Sequence, residues 1–422
     1  MPALGKLKVS VPMASELLNL SLAWLTAKRI FVYALVLALV TNLVFVALYI
    51  HVPSFAETPG ADFVQFYAAA ILSRDHPDQL YSADAQREVQ KQFSPGARRG
   101  VYWPYLHTPY FTILLMPLSA FSYVGAYWLW TVFTVFLCCL SAAIVIFVDR
   151  ARRPALRVGL AAVYAAPVLY WLISTGQTTG VALFLWALAF VLMKRQRLYW
   201  SGFVLGFLSY RAQYLMVLLP WLVLRQMWTS VFGLATSCLL LILAGGWLFS
   251  FGAYRAYIEA VAEQSRRIMT LTQPLSHYIT LYGFFRALMA PNWAVAATIL
   301  MSLLLIYWLW RVCWQTVPAS STAFDLQWAL LTTTTLLLMH HGFVYDLLLL
   351  TVPILLLHPY HEQLSPAYRV SLLLLYFLPY VLLIFPGSLP FNPIQPLLML
   401  LCFEIYRVYK NESAKASNQS WA

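Results

Sequence analysis

The sequence predicts an all-α membrane protein, a single polytopic bundle of about ten to thirteen transmembrane helices. Three observations carry that expectation. Of 422 residues, 62% are hydrophobic and only 10% charged, whereas a soluble domain carries roughly 25% charged residues. The apolar residues fill nearly the whole length in runs that could each cross a bilayer, and a soluble fold of this composition would expose more apolar surface than water tolerates. Most Lys and Arg residues sit in short clusters at the ends of those runs, as charges that set membrane orientation do.

A helical span needs about 20 apolar residues. Candidate spans lie near 30–51, 122–148, 155–173, 178–193, 199–211, 212–224, 229–250, 293–310, 322–340, 344–358, 366–386 and 390–407. Those at 199–211 and 212–224 are too short to cross as ideal helices. Short or broken helices at membrane depth are tolerated only where protein or a watery cavity covers the backbone.

The first run follows Lys28-Arg29 and is long enough to be a span rather than a cleavable leader, which puts the N-terminus inside. Alternation then assigns 149–157, 194–198, 225–228, 311–321, 359–369 and the tail after Arg407 to the cytoplasm. These segments hold Arg150, Arg152, Arg153, Arg157, Lys194, Arg195, Arg197, Arg225, Arg311, Arg369 and Lys410. The short turns at 174–177, 341–346 and 387–389 fall outside and hold neither Lys nor Arg.

Two long segments, 52–121 and 251–292, also fall outside. Long loops in a tight membrane protein are usually functional, and the semi-apolar stretches 62–73 and 253–262 could lie in the interface. With no internal repeat, residues 1–422 read as one integral membrane domain. Its parts are a first span (30–51), an external loop (52–121), central spans (122–250), a second external loop (251–292), C-terminal spans (293–407) and a tail (408–422).

Some functions are excluded at this point. The net charge of +12 suggests nucleic-acid binding, but the basic residues are scattered among loop ends instead of forming one face. The five cysteines show neither a CxxC spacing nor a Cys/His metal pattern, and no DxD-like motif occurs. No metal site and no cofactor is expected.

The acidic inventory is fifteen residues, and two stand out by setting. Asp62 opens Asp62-Phe63-Val64-Gln65-Phe66-Tyr67-Ala68-Ala69-Ala70, which is otherwise mostly apolar or aromatic. Asp346 lies between Tyr345 and four leucines, just after His340-His341. An ionised carboxylate near lipid is costly and marks a functional candidate. Burial also raises its pKa, which suits a general base; a plain helix cap is the alternative for each. His340 and His341 are adjacent, so on a helix their rings would point about 100° apart and could not chelate one metal as an i, i+4 pair would.

Arg211 interrupts two short apolar runs where the topology reaches the outer face, breaking the charge pattern. Its planar fork suits a phosphate, with snorkelling to headgroups as the alternative. Ser174-Thr175-Gly176-Gln177-Thr178-Thr179-Gly180 is a polar turn on the same side. Asp62, Gln177, Arg211, His340, His341 and Asp346 thus map to one face, which suits an enzyme acting on lipid-borne substrates.

The order of these motifs resembles a known family. Asp62-Phe63 with Phe66-Tyr67-Ala68-Ala69 precedes Asp78-Gln79-Leu80-Tyr81, Tyr102 with Tyr105 and Pro109-Tyr110, Leu115-Met116-Pro117-Leu118 and Tyr127-Trp128-Leu129-Trp130. Gly176-Gln177, Ser201-Gly202 with a basic residue in a broken span, and His341 with Tyr345-Asp346-Leu347 follow. The series resembles glycosyltransferase family 87 over roughly residues 60 to 350. The chain departs at Leu106-His107-Thr108-Pro109, where that family usually has a double proline. It departs again at Thr179, usually Asn, and at Arg211, commonly Lys.

The resemblance implies a GT-C fold in the inner (plasma) membrane, both termini cytoplasmic and the active site outside. The donor would be a polyprenyl-phosphate-linked sugar, often mannose, and the acceptor a lipid or glycan, with no nucleic acid involved. It implies that Asp62 is the general base, with Arg211 and His341 serving donor phosphate and acceptor. Tyr67, His107, Gln177, His340 and Asp346 complete the expected substrate-binding set. A transporter or flippase of a lipid-linked sugar, or a glycan polymerase or ligase, would share the many spans and intramembrane charges.

Overall fold

The structure is a computed structural model and describes residues 27–51, 59–269, 278–314, 317–384 and 392–419. The turn at 387–389, placed outside by the charge pattern above, lies outside the described residues. Among the described residues the regular elements are all helices, apart from one isolated bridge between Tyr278 and Phe343.

Numbering only α-helices of seven residues or more, the order is α1 (Ala27–His51), α2 (Phe63–Asp75), α3 (Ala83–Phe93), α4 (Tyr123–Phe147), α5 (Leu156–Tyr164) and α6 (Pro167–Thr175). Then come α7 (Thr179–Lys194), α8 (Leu198–Gly206), α9 (Leu215–Leu224), α10 (Trp228–Phe249), α11 (Gly252–Met269) and α12 (Leu281–Leu288). The last are α13 (Pro291–Cys313), α14 (Thr322–Leu338), α15 (Thr351–Leu357), α16 (Pro366–Ile384) and α17 (Ile394–Gln419). Helix α17 runs through most of the segment expected to be a polar tail.

Among the described residues, six helical stretches are long and apolar enough to cross a membrane, or seven if the bent α5–α6 pair is one span. The bend, 46°, divides a run that reads as a single span in the sequence. Its cause is Pro167, which lacks an N–H and holds Ala166 in an extended conformation (φ −63°, ψ 127°). Helix α14 forms the axis of the bundle, buried at every residue from Ala323 to Leu337. Helices α1 and α13 sit outside it, presenting apolar side chains such as Leu39, Leu43, Leu300 and Leu303 outward. That pattern suits lipid and not water.

The stretch Leu198–Leu224 is long enough to cross once, yet it doubles back. In its first half, α8 runs beside the start of α10 so closely that a Cβ on Gly202 would collide with the Ser230 carbonyl, and one on Gly206 with Ser237. At the far end a 3₁₀ segment, Phe207–Tyr214, breaks helical geometry at Arg211 (φ −129°, ψ 85°). Helix α9 then returns to Arg225, which bonds to Gln327 and, at 2.6 Å, to the Val317 carbonyl. Lys194, just before α8, pairs with Asp325 at 2.7 Å. Both feet of the hairpin therefore stand at the same end of α14, with Arg211 at the tip.

The loops sort into two ends. Arg152, Lys194 and Arg225 gather around Asp325 and Gln327 at one, the basic end. At the other, the backbone of Ala61 and Asp62 donates to Ser174 and Thr175 (3.0 Å each), and Ile279 donates to Gly342 (3.0 Å). The two stretches expected at an interface behave differently. Nine residues of α2 are buried within the bundle, whereas α11 carries the exposed pairs Arg255–Glu259 and Arg266–Glu263.

Candidate active site

Asp62 is positioned by the turn after α6. Gly176 closes that helix in the left-handed region (φ +71°), with Gln177 N–H bonding back to Leu172 and Gly176 N–H to Ile173. A Cβ at Gly176 would lie 2.6 Å from Phe63 Cβ, so glycine alone lets the turn press against the start of α2. Trp130 Nε1 donates to the Gly176 carbonyl at 3.0 Å and Tyr127 OH to that of Ile173 at 2.8 Å, fixing the turn to α4.

Asp62 occupies the N-cap position of α2 but makes no side-chain capping bond. Instead Gln177 Nε2 donates to its Oδ2 at 2.7 Å, and among the described residues Oδ1 takes no hydrogen bond. Burial raises the Asp62 pKa above the ordinary carboxylate value, while the Gln177 bond and the positive charge of Arg211 pull against it.

Arg211, at the hairpin tip, is one-tenth exposed and pairs with Asp346, which is fully buried. Asp346 Oδ1 accepts from Arg211 Nη1 (2.9 Å), Thr179 Oγ1 (2.8 Å) and Tyr214 OH (3.2 Å), and its Oδ2 from the Phe343 amide (3.0 Å). Four donors around it fix this carboxyl group in place behind the guanidinium. Tyr214 and Tyr345 rings each flank the guanidinium at 5.9 Å.

His341 lies in the turn after α14, half-buried, against Phe343 at 4.9 Å. Burial, and then the charges of Arg211 and His340, push its pKa down to about 3, so it is a neutral imidazole. His340 is exposed, its ring 6.5 Å from that of His341. Tyr67 points into an aromatic cluster with Phe63, Phe93 and Tyr123, and its hydroxyl donates to the Phe121 carbonyl at 2.7 Å. His107 is buried among rings beside Tyr210, the residue preceding Arg211. Burial, Arg211 and His341 hold its pKa well below the ordinary imidazole value.

A carboxylate with an open oxygen and raised proton affinity, at the same end as a buried guanidinium, can take a proton from a hydroxyl while an anion is stabilised nearby. A family model of glycosyltransferase family 87 matches residues 105–339, more than half the chain. The chain belongs to glycosyltransferase family 87. It is therefore a glycosyltransferase, and the transporter reading gives way. No curated protein and no solved structure matches the chain. Of the candidate residues, the family match includes His107, Gln177 and Arg211, while Asp62, Tyr67, His340, His341 and Asp346 lie beyond its limits.

Reasoning from the sequence missed the residues that hold Asp346, Thr179 and Tyr214. The signal was present. Tyr210 and Tyr214 flank Arg211 at one and three residues, and Thr179 belongs to the polar turn already singled out. At the basic end it missed that Arg152 and Lys194 converge on Asp325 in the interior.

Proposed function

We propose that this glycosyltransferase moves a hexose, mannose-like, from a polyprenyl-phosphate donor to a lipid or glycan acceptor, inverting the anomeric centre, on the outer side of the inner membrane. The reading rests chiefly on Asp62, whose free oxygen and raised proton affinity lie at the end of the bundle that also holds Arg211.

Asp62 takes the proton of the acceptor hydroxyl as that oxygen attacks the anomeric carbon. The bond from the anomeric carbon to the phosphate oxygen breaks, and its electron pair leaves on the polyprenyl phosphate. Arg211, charged and pre-set by Asp346, offsets the charge that develops there. The hairpin α8–α9 delivers Arg211 from within the bundle, so a lipid phosphate can approach from the bilayer side while its chain stays among apolar helices. Gln177 keeps the reactive carboxylate in one orientation.

In detergent-solubilised membranes, wild type should consume radiolabelled polyprenyl-phosphate mannose in the presence of lipid and glycan acceptors. Asp62→Asn keeps the shape and the Gln177 bond but cannot accept the proton. Its turnover should fall by about 10²-fold or more, while expression and donor binding stay near normal. Near-normal turnover in that variant would sink the assignment of Asp62.

A further inference from the structure

We infer that His107 is a hydrogen-bonding ligand of the transferred sugar ring, seated in an aromatic cradle between Asp62 and Arg211. This rests on the donor and the two roles proposed above. His107 is only 6% exposed, and among the described residues neither of its ring nitrogens has a hydrogen-bond partner. Its ring is packed edge-on by Phe66 (5.2 Å) and stacked by Tyr105 (5.5 Å), Phe111 (5.1 Å) and Tyr210 (5.6 Å). An imidazole buried with neither nitrogen bonded is unfavourable, because it has given up water without gaining a partner. If packing were its only task, phenylalanine would fill the same place better.

The neighbours carry the same signature. Among the described residues, Tyr105 OH, Thr178 Oγ1 and Gln177 Oε1 are also buried without a partner. Tyr105 stacks on His107, and the Thr178 carbonyl accepts from Tyr210 OH at 3.2 Å. Flat aromatic faces together with unsatisfied hydroxyl, amide and imidazole groups match a pyranose, whose C–H face packs on rings while its hydroxyls both donate and accept.

Position fixes which part of the substrate this is. Phe66 lies one turn beyond Asp62 on α2, and Tyr210 immediately precedes Arg211. His107 thus stands between the group that activates the acceptor and the group that holds the leaving phosphate. A neutral imidazole offers one donor and one acceptor, the complement of a hydroxyl; a phosphate would call for donors only. The cation in this neighbourhood is Arg211, already assigned to the phosphate.

The test compares purified full-length wild type, His107→Phe and His107→Gln with polyprenyl-phosphate mannose as donor. His107→Phe should melt at or above the wild-type temperature and keep the acceptor KM. It should lose about tenfold or more in kcat/KM for the donor, because the site would then lack a partner for a substrate hydroxyl. His107→Gln, which restores one donor and one acceptor, should recover part of that loss. Wild-type kinetics in His107→Phe would overturn the inference while leaving the proposed function standing. A loss tracking a fall in melting temperature, with no recovery in His107→Gln, would make the role structural and overturn it too. A wild type that consumes no polyprenyl-phosphate mannose overturns both.

Discussion

At Asp62, the burial that prepares the carboxylate to take a proton also works against the fold. Its folded pKa is raised, so the native state holds the proton more tightly than the unfolded chain does. Stability is therefore greatest below the unfolded value, about 3.9, and falls as pH rises toward the folded pKa. Above the folded pKa the full cost is present. Asn at this position keeps an acceptor for Gln177 Nε2 and carries no charge to desolvate. Asp62→Asn should thus melt above wild type at pH 7, with the gap narrowing as the pH approaches 4. Scanning fluorimetry in detergent between pH 4 and 8 reads this directly, and an Asn variant that melts below wild type at pH 7 would contradict it. The same reasoning shows what one residue reveals in advance. A lone carboxylate at the head of an apolar run was legible as unusual from its neighbours in the chain. Its partner Gln177, 115 residues away, was legible only as another polar residue on the same face.

At the scale of elements, the pair Arg211–Asp346 joins two 3₁₀ segments, the hairpin tip Phe207–Tyr214 and Val344–Leu350. The first leaves helical geometry at Arg211 itself, the residue that meets Asp346. The break at Arg211 was foreseeable, since two runs too short to span bracket an arginine. The identity of its counter-ion was not, because several acids share that end and periodicity is silent about pairing across 135 residues. The kink at Pro167 was likewise readable only in retrospect, since a proline can also sit quietly at a span end. Removing one member of a buried pair leaves the other charged and unpaired, at a cost of about 3–5 kcal/mol. Asp346→Ala should be destabilised on that scale in denaturant or thermal unfolding. Arg211→Leu combined with Asp346→Ala should recover a substantial part of the loss, because no bare charge then remains. A double variant at least as unstable as the sum of the singles would show that the two side chains act separately.

Over the whole molecule, charge placement predicts which loops lie together, and the packed bundle provides a consequence that can be measured in intact cells. Arg152, Lys194 and Arg225 converge from three loops on Asp325 and Gln327, while Asp62, Gln177, Arg211 and His341 occupy the opposite end. If basic loops stay on the cytoplasmic side, that end faces inward and the candidate site faces out. Two well-exposed positions report on the two ends. The Asp84 side chain, on α3 in the long segment beside the site, is 93% exposed. That of His361, in the loop before α16, is 67% exposed. The five native cysteines lie buried or half-buried, so single introduced thiols at these positions should dominate labelling. In intact cells a membrane-impermeant maleimide should modify Asp84→Cys and spare His361→Cys until the membrane is permeabilised. The reverse pattern would turn the bundle over, and with it the side on which Asp62 must meet its acceptor.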